Sequence, residues 1–156
     1  MASADPAPAG VKTYTGSCHC GFFKYSFAHD LSKAEVAKCN CSICLKLNLL
    51  ATSVPAESFK VLAPASLDDP GVADYTWKSR SVHFHFCKTC GVTCFYTGSY
   101  FSTITNEQVE FTKINLVTID QDQGVDMTAF AVKYWDGMNN NWAAGARNDP
   151  WPGGCK

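Results

Sequence analysis

Seven of the chain's nine cysteines fall into three tight motifs. Cys18-His19-Cys20 is the first, Cys39-Asn40-Cys41-Ser42-Ile43-Cys44 the second, and Cys87-Lys88-Thr89-Cys90-Gly91 the third. Thiolates two or three positions apart on a turn can converge on one ion at about 2.3 Å. A glycine directly after the last cysteine, as at Gly91, lets the backbone bend sharply. A lone cysteine pair reads as buried packing, but seven cysteines in three such loops read as metal chemistry. Cys94 lies in the apolar run Val92-Thr93-Cys94-Phe95 and is expected in the core, and Cys155 is expected to be an unligated thiol.

A closed structural zinc site takes four ligands, and a catalytic one takes three and keeps a position open. Cys18, Cys20, Cys87 and Cys90 can supply the four, which leaves Cys39, Cys41 and Cys44 for the three. Spacing leaves other groupings open, and iron–sulfur ligation also uses sets of four cysteines. His83 and His85 share a strand face leading into Cys87, and are expected as surface or supporting residues rather than ligands.

The 156 residues suit one domain. A hydrophobic content of 46% against 17% charged residues excludes a disordered chain, and a net charge of −1 argues against a nucleic-acid partner. The apolar runs fall short of the ~20 residues of a membrane span. Residues 1–10 (MASADPAPAG) carry neither the basic nor the apolar region of an export signal and read as a disordered tail. The expected location is therefore the reducing cytoplasm, where clustered cysteines signify metal or redox chemistry. An aromatic content of 13% would allow an apolar interface between copies.

The pattern is mainly β. Strands are predicted at 11–17, 21–27, 49–53, 58–62, 75–78, 82–86, 91–96 and 114–119, with turn chemistry at Leu67–Gly71. Residues 39–46 read as a cysteine loop opening a short helical turn. Residues 126–134 fit strand or helix equally, and the Gly-, Asn- and Pro-rich stretch 136–156 reads as irregular, packed on or trailing from a domain at 11–135.

Together, Cys18-x-Cys20-Gly21, Cys39-x-Cys41-Ser42-x-Cys44 and Phe86-Cys87-x-x-Cys90-Gly91 resemble the glutathione-dependent formaldehyde-activating enzyme (GFA) family, whose domain has a counterpart in centromere protein V. The resemblance is strong from about Tyr14 to Tyr96 and weaker to about Trp135. It implies a β-tent of packed antiparallel sheets with zinc knuckles, a fold shared with the Rab-binding zinc chaperone. It also implies two zinc ions per chain: a structural one on Cys18, Cys20, Cys87 and Cys90, and a catalytic one on Cys39, Cys41 and Cys44. The chain departs from the family's common pattern at His85, where many members carry arginine, and at Tyr134-Trp135-Asp136-Gly137.

The activity so implied is that of a carbon–sulfur lyase, adding a thiol, with glutathione expected, to an aldehyde or related electrophile, or the reverse. The expected partners are thus a small-molecule thiol and an electrophile. Lys38, Lys46 and Arg80 lie near the motifs but are expected as solvated charges. Two other classes compete with the lyase: a non-catalytic, zinc-stabilised protein-binding module, and a thiol redox or metal-buffer protein. A purely structural module has no need of the Cys39/Cys41/Cys44 triad, which is the discriminating feature.

Overall fold

The computed structural model describes residues 9–102 and 105–156. Most of the expected N-terminal tail, residues 1–8, lies outside the described residues. The chain is mainly β, as its sequence indicates. Its strands are β1 (Lys12–Ser17), β2 (Lys24–His29), β3 (Val36–Cys39), β4 (Ala51–Val54), β5 (Phe59–Ala63), β6 (Val72–Tyr75), β7 (Val82–Cys87), β8 (Thr93–Ser102), β9 (Glu107–Asn115) and β10 (Val132–Trp135). The α-helix among the described residues, α1 (Ser42–Lys46), grows from the middle cysteine motif.

Two sheets form. A three-stranded sheet runs β1-β2-β5, and a seven-stranded sheet runs β10-β3-β4-β9-β8-β7-β6. The pairings are antiparallel except β10 with β3, which is parallel. The main core includes Tyr14, Phe23, Tyr25, Phe27, Val36, Phe95, Ile114 and Leu116. Phe23 meets Phe95 edge-on at 5.9 Å, and Phe59 meets Phe95 at 4.8 Å, so rings from both sheets interlock. Each such side chain contributes about 1.5–3 kcal/mol by leaving water. Tyr25 keeps its hydroxyl satisfied on Thr118 Oγ1 at 2.8 Å.

Alternation along the large sheet creates a second, smaller core. Phe95 joins the main core, whereas its neighbour Tyr96 packs with Leu49, Ala51 and Phe84 on the opposite face. Ile43 and Leu47 of the α1 segment cover this second face. Asn48, at φ 47°, takes the left-handed conformation that Asn tolerates and ends the helical segment.

Several sequence expectations shift. Residues 114–119 are not one strand: β9 stops at Asn115, and a 3-10 turn covers Leu116–Thr118. The strand expected at 75–78 lies earlier, at 72–75, because Lys78 and Arg80 take positive φ in the following turn. Residues 126–134 divide into a 3-10 turn at Met127–Ala129 and the strand β10. Of the two places expected for His85, surface or supporting, the surface one is excluded: it is buried and packs at 5.1 Å against Phe95, on the face of β7 it shares with His83.

Candidate metal centres

Cys18 follows β1, and Cys20 sits in the turn before β2. A hydrogen bond from the Gly21 N–H to the Cys18 carbonyl (2.9 Å) closes that knuckle. Cys87 ends β7, and Cys90 lies in the hairpin to β8, closed by the Gly91 N–H on the Cys87 carbonyl (2.8 Å). Gly91 holds φ at 72°, a conformation that any side chain would strain. The two knuckles come from sequence positions 67 apart and meet at Cys20 and Cys87, whose sulfurs are 3.5 Å apart. Cys18 and Cys20 are 3.6 Å apart, and the four sulfurs of Cys18, Cys20, Cys87 and Cys90 lie within 4.8 Å of one another.

This donor set fits zinc. Four sulfurs disposed tetrahedrally at about 2.3 Å from a centre stand ~3.8 Å apart. Backbone N–H groups also aim at the sulfurs, as thiolates require. Phe23 donates to Cys18 Sγ at 3.2 Å. Burial works to raise Cys90, but the N–H groups of Cys20 and Val92 bring its thiol down to about 6. Cys20 is lowered by the Phe22 N–H, yet its neighbours Cys87, Cys18 and Cys90 push it up to about 12. Four thiols this close divide into ionised and protonated ones unless a cation sits among them.

The second group is Cys39 at the end of β3, Cys41 capping α1 and Cys44 inside α1, with sulfurs again within 4.8 Å of one another. The Cys41 N–H points at Cys39 Sγ (3.4 Å). Cys41 is held far below the usual thiol range by hydrogen bonds from Cys39 and Cys44. Cys44 is pushed up by Cys39 and Cys41, and Cys39 by Cys41. Among the described residues no fourth Cys, His, Asp or Glu joins these three. The set therefore fits a tetrahedral ion with one position left for a small molecule.

The C-terminal segment builds the wall of this second site. Asn40, between two of the cysteines, is buried and donates to Asp136 Oδ1 (2.8 Å) and to the Pro152 carbonyl (3.2 Å). It accepts from the Met138 N–H at 2.9 Å. Asn139 and Asn141 add donors to the same carboxylate, which these amides, Asn40 foremost, hold below the ordinary Asp value. Gly137 is thereby pressed onto the cysteines: a Cβ there would lie 2.5 Å from Cys39 Sγ, 2.9 Å from the Trp142 ring and 3.1 Å from Cys41 Cβ. Trp135 and Trp142 meet at 6.1 Å beside it.

The chain matches the sequence model of the glutathione-dependent formaldehyde-activating enzyme family over residues 13–135. It belongs to that family. Its fold is also similar to the crystal structure of a Rhodobacter sphaeroides protein, a structural-genomics target, at 20% identity and a TM-score of 0.54, covering 78% of this chain and 98% of that one.

Within this GFA-family chain, the structure brings all seven motif cysteines into two clusters, Cys18/Cys20/Cys87/Cys90 and Cys39/Cys41/Cys44. Cys94 is buried in the core, apart from both, and burial pushes its thiol up to about 12. Cys155 is exposed. Neither His83 nor His85 joins a cluster; His83 hydrogen-bonds Asp74 at 2.6 Å. Lys38 donates to the Lys156 carbonyl (2.8 Å), and Lys46 and Arg80 are exposed. Sequence reasoning missed Asn40, inside the triad's own motif, and Tyr96, Lys113, Asp136, Gly137 and Trp142, which come to that side of the fold from distant positions. The asparagine between two ligand-spaced cysteines was the one local signal. Among the described residues, no helix is long and apolar enough to cross a membrane.

Proposed function

We propose that the chain is a zinc-dependent carbon–sulfur lyase that joins a thiol, glutathione in the simplest case, to an aldehyde or related electrophile, or reverses that reaction. Cys18, Cys20, Cys87 and Cys90 would hold a structural zinc, and Cys39, Cys41 and Cys44 a catalytic one. The observation that carries this reading is the second cluster, three convergent sulfurs with no fourth protein ligand among the described residues. Membership of the GFA family supports the reaction class.

Cys39, Cys41 and Cys44 would hold the zinc, which would supply the charge that lets a thiol lose its proton near neutral pH while its sulfur stays nucleophilic. Everything else in the reaction falls to the chain. The Cys41 N–H orients the Cys39 sulfur. Gly137 leaves the space in which that sulfur sits, and Trp142 walls it. Asn40 and Asp136 clamp the C-terminal segment over the loop. In the forward direction a sulfur–carbon bond forms as the carbonyl π bond breaks. Its electron pair moves to oxygen, and a proton equal to the one the thiol released completes the hydroxyl.

The test is Cys41→Ser, assayed for metal content and for adduct formation from glutathione and formaldehyde. We expect zinc to fall from about two per chain to about one, with adduct formation lost and the fold retained. Full activity in a variant shown to lack that zinc would refute the mechanism. A wild type holding both zincs but forming no adduct with any aldehyde would turn the assignment toward the binding-module class.

A further inference from the structure

The sheet face beneath α1 carries a cation that holding a metal on cysteine sulfurs does not require. Lys113 on β9 is the cross-strand partner of Tyr96 on β8 and of Ser53 on β4. Residues paired across antiparallel strands point to the same face. Tyr96 is buried in the cluster that includes Cys44, Ile43 and Leu47, so Lys113 rises from the floor of the triad's own site. Its stem is half buried, and its ammonium lies 5.7 Å from the Phe111 ring centroid. Among the described residues Lys113 forms no ion pair. Burial lowers its pKa from the ordinary lysine value, and Glu35, a carboxylate whose charge works against that, is exposed on the protein surface. A lysine so placed lays its stem on apolar surface and keeps its ammonium free to meet an anion that enters the site.

Charge arithmetic identifies that partner. Three thiolates on a dication leave a net charge of −1, and a fourth sulfur anion would carry a partly desolvated site to −2 without a nearby cation. We propose that Lys113 is the recognition residue for the thiol co-substrate, its ammonium balancing the sulfur anion that joins Cys39, Cys41 and Cys44; this rests on the lyase reading above. The thiol, RSH, releases its proton to solvent on binding, and the electron pair stays on sulfur. Tyr96, its cross-strand partner, packs with Cys44, so Lys113 stands on the face where sulfur binds rather than at a remote end of the substrate.

Glutathione and 2-mercaptoethanol separate the two anion sources, because only glutathione carries carboxylates. Calorimetric titration of both thiols into zinc-loaded wild type, Lys113→Met, Lys113→Gln and Lys113→Arg tests the assignment, with zinc per chain measured on every sample. The neutral variants are expected to keep their zinc and to bind both thiols roughly 10–100-fold more weakly, and Lys113→Arg to recover most of the affinity. Wild-type affinity in the neutral variants would overturn the proposal. Weakening for glutathione alone would overturn it as well, by assigning Lys113 to a carboxylate. Loss of zinc from the triad in the neutral variants would show that the ammonium serves the cysteines themselves, which again defeats it. Failure of the wild type to bind either thiol would remove the lyase reading and this inference together, whereas intact wild-type binding with an unaffected Lys113→Met removes only the inference.

Discussion

Gly137→Ala separates the chemistry of the triad from the stability of the fold, without altering any cysteine. The added methyl would sit 2.5 Å from Cys39 Sγ. Ordinary non-bonded contact for heavy atoms of this kind is about 3.5–4.0 Å, so the two must part by roughly 1 Å. Three neighbours meet the methyl. Cys41 Cβ, at 3.1 Å, is tied directly to backbone, and the Trp142 ring, at 2.9 Å, is large and packed against Trp135. The easiest relief is rotation of the Cys39 side chain, which hinges on a single bond. An off-rotamer χ angle costs about 0.5–1.5 kcal/mol, a small loss for the fold. Ligand distances at a metal site, in contrast, tolerate only about ±0.2 Å. The expected result is a melting temperature lower by about 2–4 °C, with zinc near one per chain and adduct formation abolished. Elemental analysis gives the metal count, and peptide mapping after alkylation should find Cys39 newly reactive. A variant that keeps two zincs and wild-type adduct formation would refute the close packing of Gly137 on Cys39.

Two further predictions concern stability. Stripping zinc with a strong chelator should unfold the chain cooperatively. A structural zinc contributes an apparent ~10–16 kcal/mol in small peptides, comparable to the ~5–15 kcal/mol that stabilises a whole domain. An unchanged melting curve after verified removal of the metal would count against it. Asn40→Ala should destabilise the chain by about 1–3 kcal/mol by stranding buried partners, and should expose 136–156 to limited proteolysis before the rest. Equal protease resistance in variant and wild type would show that the segment is held by other means.

Local chemistry was legible in the sequence, and long-range convergence was not. The cysteine motifs declare themselves because ligands two or three residues apart must share a turn. Joining the Cys18/Cys20 knuckle to the Cys87/Cys90 knuckle needs tertiary structure, and spacing by itself left that pairing open. Among the strands, β1, β7 and the start of β8 stand out through apolar and aromatic alternation, with Tyr14, Phe84 and Phe95 pointing inward. β9 was hidden until its last residues. Glu107, Gln108 and Glu110 occupy its exposed outer half, while Lys113 takes a partly buried position that an apolar residue would ordinarily mark. β3 has four residues, of which Cys39 alone fell in the stretch read as a cysteine loop, and so short a strand carries little pattern of its own. Gly137 and Asp136 belonged to a stretch whose composition suggested irregular chain, and irregular backbone can be fixed by side-chain hydrogen bonds as firmly as by a ladder. The Asn40–Asp136 pair does this across 96 positions.

The two cysteine clusters occupy different layers, and this gives them different duties. The four-cysteine cluster joins the turn between β1 and β2, in the small sheet, to the hairpin between β7 and β8, in the large one. Cys18, Cys87 and Cys90 pack with the main core that both sheets share. An ion there would close a long loop and clamp one sheet to the other. The triad stands on the opposite face of the large sheet, over the smaller core of Phe84 and Tyr96, between α1 and the C-terminal segment. An ion there would close a loop of only a few residues and would have little of the chain to hold together. Loop-closure entropy grows with the length enclosed, so the first site has more to contribute to folding than the second. The same geometry leaves the second free to keep an open position, with Lys113 beneath it and Gly137 beside it. Substitutions at the triad should therefore separate activity from folding, whereas substitutions at Cys20 or Cys87 should remove both together.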